Sequence, residues 1–132
     1  MDIGIVGLGR MGSGVAYRLL EGGHRVVVHN RTAEKMEPLA QAGATTAQDL
    51  NQLVSLLPAP RVVWLYLPAG DVTEQHILEL ADLLEPGDTI IDGGNSRFTN
   101  SISRAEFLAA HGIQFLDVGT SGGIAGRTDG YC

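Results

Sequence analysis

The sequence predicts an α/β fold in a single domain, with a doubly wound and mainly parallel sheet. Three observations carry this prediction. First, short apolar runs that predict buried strands alternate with segments of helical period. Second, glycines at 7, 9 and 12 follow the first run in the spacing G-x-G-x-x-G. Third, later apolar runs end in loops of small residues, where open parallel sheets bind ligands. Together these features are typical of the Rossmann type, with strand order 3-2-1-4-5-6.

The three glycines lie between the first predicted strand and the first predicted helix. The apolar run 3–6 predicts a buried strand, and the apolar stripe within 15–20 predicts a helix. Gly7 permits a tight turn, Gly9 lets the backbone approach a pyrophosphate, and Gly12 lets helix and strand pack closely. The N–H groups at the start of the helix then face the phosphates of a dinucleotide. The alternative is an ordinary glycine turn that binds nothing.

The remaining elements follow from apolar runs and from residues that begin or end helices. Thr46 to Asp49 resembles a capping box, Asp71 and Glu74 have the same spacing, and Pro38 is expected to kink or shorten its helix. The glycine-rich stretch after Asp117 makes a poor helix and a poor strand. Strands are predicted at 25–29, 44–46, 61–67, 89–92 and 113–116, and helices at 33–42, 50–57, 71–84 and 98–110. The predicted core is Ile3, Ile5, Val27, Val63, Leu65, Ile90 and Ile91.

Composition and charge argue against several classes of function. The chain has 132 residues, a natural size for one domain, and no apolar run reaches the roughly 18 residues that a membrane span needs. A net charge of -6 and the lack of a basic stripe argue against a nucleic-acid partner. The single cysteine, Cys132, excludes an internal disulfide within these residues and favours a cytoplasmic location. Because a predicted strand begins at the N-terminus, we expect no signal peptide. We predict no metal site.

The residues that end the second strand indicate which dinucleotide binds. About 20 residues past the glycines, NAD sites place an acid that binds the ribose 2′-hydroxyl. This chain has Asn30 there, followed by Arg31 and Thr32. A guanidinium can bind a 2′-phosphate, whereas a carboxylate would repel it. The sequence therefore favours NADP over NAD. In the alternative interpretation, Thr32 caps the next helix and Arg31 is solvated.

Three motifs together resemble a known family. Gly7–Gly12 (Gly-Leu-Gly-Arg-Met-Gly) is similar to the N-terminal fingerprint of the β-hydroxyacid dehydrogenase superfamily. Asp92–Ser96 (Asp-Gly-Gly-Asn-Ser) and Asp117–Gly123 (Asp-Val-Gly-Thr-Ser-Gly-Gly) resemble 6-phosphogluconate dehydrogenase, especially its shorter-chain bacterial branch. The sister hydroxyisobutyrate and tartronate-semialdehyde enzymes share the first motif and a form of Ser-Gly-Gly, but they generally lack Gly-Gly-Asn-Ser. The resemblance covers essentially the whole chain.

The resemblance implies oxidative decarboxylation of a phosphorylated sugar acid, 6-phosphogluconate, to ribulose 5-phosphate. It implies that the cofactor is bound by Gly7, Leu8, Gly9, Arg10, Met11, Gly12, Asn30, Arg31, Thr32, Leu67, Pro68, Ala69 and Asn95. It implies that the substrate is bound by Asn95, Ser121, Gly122 and Gly123. Two alternatives stay open: Asn95 and Ser96 cap the following helix, and residues 121–123 form a flexible turn.

The chain departs from the family in its catalytic residues. The family's base is a lysine and its acid a glutamate, both in a later helical segment, whereas the one lysine here is Lys35. We therefore predict that residues 1–132 are the NAD(P)-binding domain, without catalytic residues, and that a C-terminal helical domain is absent. The full-length protein would form a homo-oligomer through that domain. Residues 126–129 also depart somewhat from the family's sequence pattern after Ser-Gly-Gly. The alternatives are a stand-alone nucleotide-binding or sensing module and a sister hydroxyacid dehydrogenase.

Overall fold

A computed structural model describes all residues from 1 to 132, and it shows six strands that alternate with six helices. The strands are β1 (Asp2–Val6), β2 (Arg25–His29), β3 (Thr45–Thr46), β4 (Val62–Leu65), β5 (Thr89–Asp92) and β6 (Gln114–Asp117). The helices are α1 (Arg10–Glu21), α2 (Glu37–Gln41), α3 (Leu50–Leu56), α4 (Asp71–Leu83), α5 (Phe98–Ala109) and α6 (Gly126–Asp129). No helix is long and apolar enough to cross a membrane.

All six strands pair in parallel, in the order β3-β2-β1-β4-β5-β6. This order confirms the predicted fold class and strand order. The register aligns the last residues of the central strands: Val6 pairs with His29 and with Leu65, and Leu65 pairs with Asp92. The carboxyl ends of four strands therefore form one edge, where open parallel sheets bind ligands.

Two apolar clusters lie on opposite faces of the sheet. One cluster joins α3, α4 and α5 to the sheet, and the other joins α1 and α2 to it. Six of the seven predicted core residues are buried, but Ile91 is only half-buried. Ile91 pairs in register with Leu116, which is 52% exposed, and both lie outside the two clusters. The prediction failed there because a strand's apolar run does not show which parts of a sheet face are covered.

The structure corrects two predicted helix caps and divides one predicted helix. Asp49, not Thr46, caps α3, because its carboxylate accepts the Gln52 N–H at 2.7 Å. Asp71 is the first residue of α4, and the residue before it makes no side-chain capping bond. The helix predicted over 33–42 is divided into a 3₁₀ turn and α2, and Pro38 lies in the first turn of α2, where its missing N–H costs nothing. The glycine-rich terminal stretch contains the short helix α6.

Candidate functional site

A single cleft of about 970 Å³ follows the carboxyl ends of β1, β2, β4 and β5. It brings together all the residues for which sequence reasoning predicts cofactor contacts. These are Gly7, Leu8, Gly9, Arg10, Met11, Gly12, Asn30, Arg31, Thr32, Leu67, Pro68, Ala69 and Asn95. Lys35, Tyr66, Gln75, His76 and Thr120 also line the cleft, and sequence reasoning assigned none of them a contact. The binding roles themselves stay predictions.

The glycine turn has the geometry that each of its glycines was expected to provide. Gly7 has φ +92°, and a Cβ there would overlap the carbonyl oxygen of Tyr66. A Cβ on Gly12 would overlap the carbonyl oxygen of Gly7, so helix and turn pack without room for a side chain. Around Gly9, by contrast, no atom lies within 4 Å of a Cβ position. The backbone at Gly9 is therefore open to the cleft.

Helix α1 points its amino end into this cleft. Its first hydrogen bond runs from the Ser13 N–H to the Gly9 carbonyl at 3.0 Å, so the preceding N–H groups have no helical acceptor. The first turn contains no acidic residue. Unpaired N–H groups and the positive end of the helix dipole attract an anion such as a phosphate.

Asn30 connects the end of β2 to the glycine turn. Its Oδ1 accepts the Leu8 N–H at 2.9 Å, and its Nδ2 donates to the Thr32 carbonyl at 3.1 Å. The side chain of Thr32 makes no capping hydrogen bond to the 3₁₀ turn that follows it. Asn30 thus fixes two loops relative to each other. Arg31, the next residue, is exposed and lines the cleft.

The charges that line the cleft are all positive. Arg10, Arg31 and Lys35 line it, and no aspartate or glutamate does, although the chain carries 15 acidic residues and a net charge of -6. Arg31 and Lys35 both lie beyond the end of β2, on the side where sequence reasoning predicted the ribose 2′-phosphate. A cleft with this lining attracts an anionic ligand into a protein that is otherwise acidic.

A buried polar network holds the loop at the other end of the cleft, and sequence reasoning did not foresee it. The Asp92 carboxylate accepts the Gly94 N–H at 2.9 Å and the Ser96 hydroxyl at 2.6 Å. Arg104 of α5 donates to Asp92 at 3.1 Å, to Ser96 at 2.8 Å and to Glu74 of α4 at 2.8 Å. These bonds fix residues 93–95 between two helices. Ser96 therefore does not cap α5, whose N-cap is the next residue.

The loop after β4 is fixed in a similar way. Thr73, which is fully buried, donates its hydroxyl hydrogen to the Pro68 carbonyl at 2.8 Å. This bond anchors residues 67–69 to the first turn of α4. The two loops meet at Gly94, where a Cβ would lie 2.7 Å from the Leu67 carbonyl oxygen. A side chain at 94 would push the two cleft walls apart.

Tyr66 lies between the glycine turn and the loop formed by residues 93–95. A Cβ on Gly12 would lie 3.2 Å from the Tyr66 Cβ, and a Cβ on Gly93 would lie 2.8 Å from its ring. Its hydroxyl is 3.4 Å from the Thr120 hydroxyl oxygen. Burial raises the pKa of Tyr66 to about 12; the Thr120 hydrogen bond acts in the opposite direction, and Tyr131 adds to the rise. The hydroxyl is therefore neutral at physiological pH.

The structure does not bring Ser121, Gly122 and Gly123 into the cleft. Thr120 is the last residue of this segment that lines it. Ser121 instead exchanges two backbone hydrogen bonds with Cys132, at 2.8 and 2.9 Å, and Gly122 packs against the ring of Tyr131. Their predicted substrate contacts stay a prediction.

The fold, the glycine turn and the positively lined cleft define a Rossmann-type dinucleotide-binding domain. The family model described as the NAD-binding domain of 6-phosphogluconate dehydrogenase matches residues 2–132. The chain belongs to this family, as its motifs predicted.

Individual relatives agree with this assignment. The chain is 42% identical over 131 residues to an NAD(+)-dependent, decarboxylating 6-phosphogluconate dehydrogenase of Haloferax volcanii, covering 99% of this chain and 43% of the relative. It superposes on Plasmodium falciparum 6-phosphogluconate dehydrogenase with a TM-score of 0.91 and 31% identity, over 99% of this chain and 29% of that one. For Mycobacterium tuberculosis 3-hydroxyisobutyrate dehydrogenase the TM-score is 0.86 at 26% identity, over 95% and 42%. The chain thus spans less than half the length of each.

Proposed function

We propose that this chain binds NADP in its cleft, as the cofactor domain of a decarboxylating 6-phosphogluconate dehydrogenase. The observation that carries the proposal is the lining of the cleft, where Arg10, Arg31 and Lys35 are the charged residues and no carboxylate is present. A 2′-phosphate adds about two negative charges to the dinucleotide. Positively charged side chains attract these charges, whereas a carboxylate in the same place would repel them.

The residues present fit the cofactor in three parts. The open backbone at Gly9 and the first turn of α1 would hold the diphosphate. The Arg31 guanidinium, beside Thr32, would bind the 2′-phosphate, and Asn30 would keep both loops in register through its two hydrogen bonds. Residues 67–69 and Asn95 would then lie along the nicotinamide half.

The proposed reaction oxidises a secondary alcohol of a phosphorylated sugar acid, after which the neighbouring carboxylate leaves as carbon dioxide. NADP supplies the hydride acceptor when bound. Within this chain, Asn95 would orient a substrate hydroxyl through its amide, which neither takes nor gives a proton at neutral pH. We propose that the base and the acid, a lysine and a glutamate, belong to a further helical domain of the full-length protein, which would also form the homo-oligomer.

Titration of the chain with NADP and with NAD by calorimetry tests the cofactor. We expect tighter binding of NADP, because its 2′-phosphate forms charge-assisted hydrogen bonds with Arg31. In the Arg31→Ala variant, NADP affinity should fall roughly 10- to 100-fold, since such bonds contribute about 1.5–3 kcal/mol. NAD affinity should change less than about twofold.

Arg25→Ala is the matched control, because Arg25 is exposed at the opposite edge of the sheet and pairs with Asp2. It should leave both affinities unchanged. Equal or tighter binding of NAD by the unaltered chain would contradict the NADP proposal while leaving the family assignment in place.

The substrate is tested on the full-length protein. Turnover of 6-phosphogluconate with release of carbon dioxide is expected. Preferential turnover of hydroxyisobutyrate would favour the sister enzymes instead, one of which shares the fold. A full-length protein that binds NADP but turns over neither compound would favour the sensing module.

A further inference from the structure

Tyr66 and Thr120 bring two hydroxyl groups together at the end of the cleft that lies away from Arg31. With the diphosphate at the glycine turn and the adenosine ribose beyond β2, the nicotinamide half of a dinucleotide extends to this other end. Tyr66 lies beside that path, since its Cβ is next to Gly12 and its ring is next to Gly93.

The two hydroxyls have hydrogen-bonding capacity to spare. Their oxygens are 3.4 Å apart, which is longer than the mode of about 2.7–2.8 Å for a bond between two hydroxyls. Each hydroxyl can donate one hydrogen bond and accept others. A weak mutual contact therefore leaves a donor and an acceptor free to bind a ligand.

The position of the Tyr66 ring is fixed by its surroundings. Trp64 stacks on it with ring centroids 5.3 Å apart and an interplanar angle of 30°. Gly93 makes room for it, because a Cβ there would lie 2.8 Å from the ring. A ring held in this way presents its hydroxyl without losing rotamer freedom when a ligand binds.

We propose that the Tyr66 hydroxyl, together with Thr120, binds the carboxamide of the nicotinamide ring. This inference rests on the proposed function. A carboxamide carries one acceptor oxygen and two N–H donors, and it is neutral, so a neutral pair of hydroxyls satisfies it without the desolvation of a charge. Tyr66 then determines the orientation of the ring, and hence which of its faces is turned to the substrate.

The test compares two ligands on the same protein by calorimetry: NADP, and 2′-phospho-ADP-ribose, which lacks the nicotinamide. Tyr66→Phe removes one hydroxyl and keeps the ring. We expect it to weaken NADP roughly three- to tenfold, the loss of one neutral hydrogen bond, and to leave 2′-phospho-ADP-ribose unchanged. Thr120→Val should act in the same direction.

Tyr17→Phe is the matched control. Tyr17 lies on α1, its ring lies under the guanidinium of Arg127, and it does not line the cleft. It should alter neither affinity. Unchanged NADP affinity in Tyr66→Phe, or equal losses for both ligands, would overturn this inference and leave the proposed function standing. Failure of the unaltered chain to bind either ligand would overturn the proposed function, and the inference with it.

Discussion

Asp92 and Glu74 bind the same guanidinium, that of Arg104, yet their surroundings differ. The Asp92 side chain is 1% exposed and the Glu74 side chain is 49% exposed. Replacing each carboxylate by its amide, Asp92→Asn and Glu74→Gln, removes one negative charge with almost no change of shape. The pair of variants therefore separates the effect of burial from the effect of geometry.

The expected costs follow from the solvent around each carboxylate. Arg104 is itself 2% exposed, so removing the charge of Asp92 leaves a buried cation with one half-exposed partner. Breaking a buried pair in this way costs about 3–5 kcal/mol. The charge of Glu74 is screened by water, and its loss should cost less than about 1 kcal/mol.

Urea unfolding followed by far-ultraviolet circular dichroism measures both costs as changes in the free energy of unfolding. Equal costs, or a larger cost for Glu74→Gln, would refute the argument from burial. If Asp92→Asn is too unstable to measure, the double variant Asp92→Asn/Arg104→Met decides the question. It removes both charges and should be more stable than the single variant, because no buried cation is left without its buried carboxylate.

Three further predictions follow from the cleft. Gly12→Ala should destabilise the fold, because its Cβ overlaps the Gly7 carbonyl. At Gly9 no atom lies within 4 Å of a Cβ position, so Gly9→Ala should cost less than about 1 kcal/mol of stability. It should nevertheless weaken dinucleotide binding at least roughly tenfold. Thermal unfolding measures the first effect and calorimetry the second, and unchanged binding by Gly9→Ala would refute the role of that glycine. The pKa of Tyr66 rises from 10.0 to about 12 on folding, so the unfolded chain loses that proton first and stability should fall between these pH values. The fall should be smaller in Tyr66→Phe, and an identical pH profile in the two proteins would contradict the raised pKa.

The sequence predicted the parts of this protein that depend on local pattern. The apolar runs of β1, β2 and β4 and the spacing of Gly7, Gly9 and Gly12 are local signals, and the structure has both as expected. The strand order followed from the same pattern, because right-handed crossovers leave few arrangements. Cleft residues at strand ends were predictable because parallel strands place their carboxyl ends at one edge.

What the sequence missed depends on contacts between distant residues. Arg104 binds a carboxylate 12 residues away and another 30 residues away, and no local pattern records such pairs. One signal was present: Ser101, Arg104 and Leu108 have helical spacing on the buried side of α5, so a charge there needed a buried partner. Tyr66 gave a weaker signal, as a polar ring that follows a strand otherwise apolar.

Trp64, the sole tryptophan of the chain, stacks on the ring of Tyr66. Its indole Nε1 is buried without a hydrogen-bond partner, close to the backbone of Gly93. Indole emission depends on the polarity and stacking of its surroundings, so this protein contains one built-in fluorophore that senses one end of its cleft. The fluorescence of Trp64 should change when a ligand reaches Tyr66, and it should stay constant when a ligand is confined to the region of Arg31.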